Sequence, residues 1–291
     1  MSYTIYTSEW RGQALAPRPS AARVVIVGVG GTGGFLAEPV CRLLLGIPSE
    51  VFLIDPDVVE EHNVARQNFD FSEVGGYKAE VLARRLSRRF RREVGYSTLP
   101  FSAVQHGPIF SGFSPTQLNL LIGCVDNPHA RTAIRDAFRD QPAMRRAWWL
   151  DSGNGKNDGQ ILLGNTATAA GLHGAFLEDA MLCTDLPLPT LQRPDLLDAV
   201  PEQEPQLDCA ELVEMSAQGP TINQMMATFL ASYVEKLLLG CCQWMATYLD
   251  VDHGMFRSVF ADPKLAAQYS GLHVNAVVTR TRKPRGGAAA A

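Results

Sequence analysis

Hydrophobic positions along the chain follow two periods. "RVVIVG" (Arg23–Gly28), "EVFLID" (Glu50–Asp55) and "LNLLIGCVD" (Leu118–Asp126) are continuous apolar runs of strand length. Such runs predict parallel strands buried on both faces, because a strand with one wet face alternates instead. Between them the apolar positions recur every three to four residues. "FLAEPVCRLLLG" has helical spacing, which Pro39 must bend or loosen. "YKAEVLARRLSRRF" sets Leu82, Leu86 and Phe90 on one stripe and its arginines on the other, predicting an amphipathic surface helix. "PHARTAIRDAF" opens a further helix with Pro128 at its start.

"RAWWLDSG" and "GQILLGNT" read as two more strands, where a parallel sheet passes into antiparallel pairing; at least one of Trp148 and Trp149 is expected in the core. From Glu178 to Asp208 the periodicity fades into a Pro-rich stretch, read as a long surface crossover. Asp208 is placed to cap a short helix, and "PTINQMMATFLASYVEKLLLG" predicts a strong one closed by Gly240. "LHVNAVVTRT" (Leu272–Thr281) reads as a late strand. The expected fold is therefore α/β: a Rossmann-like, mostly parallel sheet with flanking helices, continuing into antiparallel strands, with a long Pro-rich crossover loop. The expected division is an arm over 1–22, one domain over 23–282 with the crossover 178–208 inside it, and a low-complexity tail over 283–291.

Composition narrows the class without choosing a chemistry. The 291 residues are 46% hydrophobic and 19% charged, with net charge −4, values of an ordinary globular protein. The mild acidity gives no reason to expect nucleic acid, and the basic run Arg84–Arg92 reads as the solvated face of its helix. No apolar run approaches the roughly 18 residues of a membrane span. The N-terminus lacks the basic-then-apolar pattern of a secretory signal, so a cytoplasmic protein is expected. The six cysteines form no C-x-x-C pair, so no structural zinc is expected. Cys41 and Cys124 fall on buried patterns, while Cys241 and Cys242 follow a helix end and are expected to pack.

Chemistry enters at "GVGGTG", between the first strand and the first helix. A loop without side chains lets backbone N–H groups approach a phosphate at a positive helix N-terminus. Asp55 follows at about the 20 residues expected of a ribose-binding acid. These features predict a nucleotide site but leave NAD, FAD, S-adenosylmethionine and ATP open. The next stretch, "DPDVVEEHNVARQNF" (Asp55–Phe69), is too polar for core. An NAD site does not need a cation beside the acid, whereas phosphoryl or adenylyl transfer must neutralise phosphate charge. Arg66, then Lys78 at a helix start, supply two cations, and Asp126 at a strand end supplies a spare carboxylate for Mg²⁺.

"GVGGTG", "DPDVVEEHNVARQNF", "GGYKAE" and "CVDNPHAR" stand in the order and spacing of the ThiF/MoeB/HesA family, adenylating domains related to ubiquitin-activating enzymes, and the chain resembles that family over roughly 22–170 and more loosely over 205–240. The resemblance implies that Gly28, Gly30, Gly31 and Gly33 pack against ATP and that Asp55 holds the ribose. It implies that Asn63, Arg66 and Gln67 contact the phosphates, that Lys78 steadies the α-phosphate and pyrophosphate, and that Asp126 positions Mg²⁺ with Asn127 and Arg131 supporting the turn. His62 stands where the family has Ser or Thr. The implied reaction is ATP-dependent adenylation of the C-terminal Gly carboxylate of a small ubiquitin-like or sulfur-carrier β-grasp protein, by a homodimer to which the helix "INQMMATFLASYVEKLL" is suited. Cys209 is the candidate nucleophile for a following thioester, with Cys183 a weaker alternative. Within the family the chain looks most like the ThiF-like proteins encoded with bacterial PRTRC systems. The competing expectations are an NAD-dependent Rossmann oxidoreductase and a non-catalytic nucleotide-binding scaffold.

Overall fold

The computed structural model describes residues 14–15, 18–111, 114, 116–198 and 219–279. The crossover's end, the expected cap Asp208, the candidate nucleophile Cys209, the low-complexity tail and most of the N-terminal arm lie outside them.

The continuous apolar runs form strands β1 (Ala21–Val27), β2 (Ser49–Ile54) and β4 (Gln117–Gly123). With β3 (Gly95–Ser97) and β5 (Ala147–Asn154) they build the parallel half of an eight-stranded sheet. The hairpin partner β6 (Asp158–Gly164) runs antiparallel to β5, so the change of direction falls where the two "WW…GQILL" runs place it. Strands β9 (Trp244–Asp250) and β10 (Met255–Phe260) extend the antiparallel side, giving the order β10-β9-β6-β5-β4-β1-β2-β3. A small second sheet joins β7 (Phe176–Leu177), β8 (Leu182–Cys183) and β11 (Val278–Thr279).

Three long helices follow the expected apolar stripes: α1 (Gly31–Leu43), α3 (Lys78–Phe90) and α5 (Pro128–Asp140). Single turns form α2 (Glu61–Val64), α4 (Ala103–His106) and α6 (Pro189–Gln192). The 19-residue α7 (Pro220–Leu238) is followed by α8 (Pro263–Ser270) and α9 (Val274–Val277). The α1 helix continues through Pro39 rather than ending there. No described helix is long and apolar enough to cross a membrane.

Several expectations need correction. The apolar side chains of α7 do not form a free face for a partner. Ile222, Met226, Leu230, Tyr233, Val234 and Leu237 are fully buried in the chain's own core, together with Leu36, Ala37 and Val40 of α1. Leu272–Thr281 is not one strand: the His273 side chain accepts from the Asn275 N–H and starts α9, leaving two residues for β11. The first part of the crossover is not a surface loop either. Leu186, Leu188, Thr190 and Gln192 are buried, and the Gln192 amide donates to the carbonyls of Leu163 and Pro187.

Candidate active site

In the parallel half of the sheet the order is β5-β4-β1-β2-β3: β2 and β3 are added on one side of β1, β4 and β5 on the other, so the order of winding reverses between β1 and β4. Open α/β sheets bind ligands outside the carboxyl ends of the strands at that reversal. A cavity of about 950 Å³ lies there, large enough for a nucleotide. Each strand end delivers its own wall. After β1 come Gly28, Gly30, Gly31 and Thr32; after β2 come Asp55, Pro56 and Asp57; after β4 come Cys124, Val125, Asp126 and Asn127; and β5 ends in Ser152, Gly153 and Asn154. Residues of α2, the turn after it and the start of α3 complete the lining: His62, Asn63, Arg66, Gln67 and Lys78.

The glycines divide into two groups. Gly28 has φ +83°, and a Cβ there would lie 2.6 Å from the Cys124 carbonyl oxygen, so this turn demands glycine. Gly33 does not line the cavity. A Cβ on it would strike the Gly28 carbonyl, so its part is the close packing of α1 on the loop, a correction to its expected contact with ATP.

Asp55 is buried at 5% exposure, with Oδ2 accepting from the Val29 N–H at 2.7 Å and Oδ1 from the Asp57 N–H at 2.9 Å. Burial pushes its carboxyl above the usual range, and the two backbone donors and Lys78 pull back against that. Lys78 opens α3 almost fully buried, its ammonium 3.0 Å from Asp57 Oδ2. Arg131 is buried too: Nε faces Asp151 Oδ2 at 3.2 Å, and Nη2 donates to the Ser152 carbonyl. Burial pushes the Asp151 carboxyl up, and the Arg131 guanidinium draws it down. Among the described residues no carboxylate pairs with the Arg66 guanidinium, although Arg66 lines the cavity.

Asn63 is the third residue of a capping box. Its Oδ1 accepts from the Glu60 N–H at 3.0 Å, and its Nδ2 lies 2.9 Å from His62 Nε2. The imidazole's other nitrogen is 3.1 Å from Glu60 Oε2. His62 thus fills the Ser/Thr position by bracing Asn63. Gln67 is buried, and its Oε1 has no hydrogen-bond partner; Ser152 Oγ, which also belongs to the cavity lining, has none either. Buried polar atoms left open at a cavity wall fit a polar ligand. Asp126 and Asn127 are exposed at the rim, where Asn127 Oδ1 caps α5 by accepting from the Ala130 N–H at 2.8 Å. No described group of three ligands forms a metal site. A lone carboxylate fits Mg²⁺ only as the ion is held beside nucleotide phosphates, one or two carboxylates completing its shell.

Cys183 is buried in β8, its thiol pushed up by burial and turned to the Asp185 carbonyl, which rules it out as an accessible nucleophile. Cys124 packs against the core and also lines the cavity, and burial pushes its thiol up as well. Asp151, Thr32, Asn154 and Asn223 were not singled out by the sequence pattern. The signal for Asn223 was available: it shares a buried stripe of α7 with Ala227, Leu230 and Val234, where an amide is out of place.

The model of the ThiF family matches residues 7–271. Ubiquitin-like modifier-activating enzyme 5 of Branchiostoma floridae is 31% identical over 146 residues, covering 46% of this chain and 33% of that protein. The Xenopus laevis enzyme of the same name is 33% identical over 145 residues, covering 46% and 34%. The match thus spans about a third of these curated relatives. Among solved structures, PaaA has a TM-score of 0.56 at 16% identity, covering 84% of this chain and 65% of that one. E. coli MccB with ATP has a TM-score of 0.52 at 19% identity, covering 83% and 64%. These two likenesses are of fold.

Proposed function

The chain belongs to the ThiF family, and from that premise we propose that it is an ATP-dependent adenylating enzyme acting on the C-terminal Gly carboxylate of a small ubiquitin-like or sulfur-carrier β-grasp protein. The observation that carries the reading is the convergence of Asp55, Arg66, Gln67 and Lys78 on one cavity with the glycine loop. A dinucleotide oxidoreductase would leave Arg66 and Lys78 without a task at that place. The similarity to modifier-activating enzymes and the fold shared with an ATP-bound MccB support the same direction.

In this reading the triphosphate lies along Gly28–Gly31 and the N-terminus of α1, where backbone N–H groups favour anions. Asp55 takes the ribose. Arg66 and Lys78 face the phosphates from the α2–α3 side, and Gln67 offers its open Oε1 and amide. Asp126, with Asn127 beside it, would hold Mg²⁺, which when bound neutralises phosphate charge. A carboxylate oxygen of the terminal glycine attacks the α-phosphorus, the bond to the bridging oxygen of the β-phosphate breaks, and pyrophosphate leaves. An acyl adenylate remains. No proton has to move, so no general base is required; positioning and charge stabilisation supply the catalysis. Cys209 would then accept the acyl group with release of AMP, its thiolate sulfur replacing the adenylate oxygen. A cytoplasmic homodimer is part of the proposal.

The test is exchange of labelled pyrophosphate into ATP with Mg²⁺ and candidate carrier proteins. Carrier-dependent exchange is expected. Binding of reduced nicotinamide cofactor without exchange would overturn the reading, and ATP binding without exchange in the presence of a captured carrier would point to a scaffold. Mass spectrometry for a carrier thioester tests Cys209: the adduct should disappear in Cys209→Ala.

A further inference from the structure

The three cations at the cavity are held in different ways. Lys78 is fixed through its ammonium by Asp57, and Arg131 through its guanidinium by Asp151. Arg66 has no such side-chain anchor among the described residues. Its main chain is gripped instead: the Asn223 amide donates to the Arg66 carbonyl at 3.3 Å, from 157 residues further along the chain.

Asn223 is built for this contact. It is fully buried in the first turn of α7, on a stripe that is otherwise apolar. Burying an amide there is costly unless its polar atoms are engaged. Its Oδ1 accepts from Asn154 Nδ2 at 3.1 Å and lies 3.4 Å from Thr32 Oγ1, so both ends of the amide are used. The Arg66 carbonyl can only accept, so the nitrogen end of the amide faces it and the oxygen end is left for Asn154 and Thr32. The approach is possible only beside Gly31, where a Cβ would sit 2.5 Å from Asn223 Nδ2. One side chain therefore ties three parts of the phosphate end together: the first turn of α1, the end of β5 and the Arg66 backbone.

We infer that Asn223 is a positioning residue for Arg66: it sets the main chain from which the guanidinium reaches the nucleotide phosphates. The inference rests on the adenylation reading for what the phosphates are used for, but its own content is the coupling of Asn223 to Arg66. Two readouts separate this role from general support of the fold. Amide hydrogen exchange reports the segment directly: in Asn223→Ala the amides of Arg66 and Gln67, which donate to the Asn63 carbonyl, should exchange roughly tenfold faster. ATP affinity by calorimetry reports the consequence through a double-mutant cycle. Asn223→Ala should weaken ATP about tenfold in the parent but less than about twofold in an Arg66→Ala background, because the guanidinium it positions is already gone. Arg66→Ala keeps the carbonyl, so the faster amide exchange should persist there.

If Asn223→Ala does not fold, Asn154→Ala decides the matter. It withdraws the brace from the other end of the amide and leaves the α7 stripe intact, so the same pattern is expected at smaller size. Equal weakening of ATP in both backgrounds, or unchanged amide exchange at Arg66 and Gln67, overturns the inference. Pyrophosphate exchange by the parent is scored separately. Its absence with ATP binding and the cycle intact removes the adenylation reading alone; a flat cycle with exchange intact removes this inference alone. A parent that binds no ATP overturns both.

Discussion

Replacing Asp151 by Asn deletes one charge from a buried pair at the cavity wall. Arg131 and Asp151 have side-chain exposures of 8% and 0%, and Nε stands 3.4 and 3.2 Å from the two carboxylate oxygens. At that separation, with an effective dielectric of about 20, the attraction is about 5 kcal/mol. Desolvation of both ions offsets most of it, so the pair adds little over an apolar one, but deleting a single partner strands a buried cation at a cost of about 3–5 kcal/mol. Asn keeps the shape and one carbonyl oxygen, which puts Asp151→Asn near the lower end, about 3 kcal/mol. For a chain of this size that lowers Tm by roughly 6–12 °C. The assay is urea denaturation followed by tryptophan fluorescence, comparing midpoints at constant slope. The double replacement Arg131→Met with Asp151→Leu removes both charges and should recover to within about 1 kcal/mol of the parent. A loss below about 1 kcal/mol in Asp151→Asn would refute the reasoning, since it would mean that cavity water already screens the pair. A double variant no better than the single would refute it equally.

Lys78→Ala should lower carrier-dependent pyrophosphate exchange by about 10²-fold, because a preorganised cation is lost where charge shifts; full retention in a variant that still melts like the parent would remove Lys78 from the mechanism. Asp55→Asn tests the sign of a titration. Burial raises the folded pKa of Asp55, so its contribution to stability is fully present below the unfolded value of about 4 and is lost as pH rises through the folded value. Asparagine does not titrate, so Asp55→Asn should gain on the parent as pH climbs from 4 to 7 in paired denaturation curves; a gap moving the other way would show that the backbone donors outweigh burial. Gly33→Ala should fold poorly or lose several kcal/mol in the same assay, since its Cβ meets the Gly28 carbonyl, and near-parental stability would mean that the loop can shift freely.

Strands buried on both faces were plain in the sequence because nothing interrupts their apolar runs, as with Val24–Val27 in β1. The strands that escaped notice lack that signal. β3 is three residues at a sheet edge, and β10 exposes Met255 and Phe256, so neither shows a run or a clean alternation. In β9 the polar Thr247 is fully buried because Tyr233 and Ser258 hydrogen-bond to it, an exception no local pattern announces. The same logic divides the candidate site. Gly28, Asp55, Arg66 and Lys78 were found by short-range spacing, since the chemistry that needs them lies on consecutive strand ends. Asp151 and Asn223 act through partners 20 and 157 residues away. Their only trace in the sequence is a polar residue in an apolar stretch, which calls for a partner without naming it.

That division has a physical cause in the topology. The parallel strands β1, β2, β4 and β5 end at the cavity, but α1, whose N-terminus lines it, cannot stand on them alone. Its buried face, Leu36, Ala37, Val40 and Cys41, joins the core built with α7, from a part of the chain that bears none of the nucleotide motif. The antiparallel strands β6 and β9 add Ile161, Leu163, Met245 and Leu249 to that same core. The second half of the chain therefore supports the first, and it also returns one amide, Asn223, to the point where the glycine loop, β5 and Arg66 meet. A site whose geometry depends on a helix packed so far along the chain is exposed to whatever moves that helix.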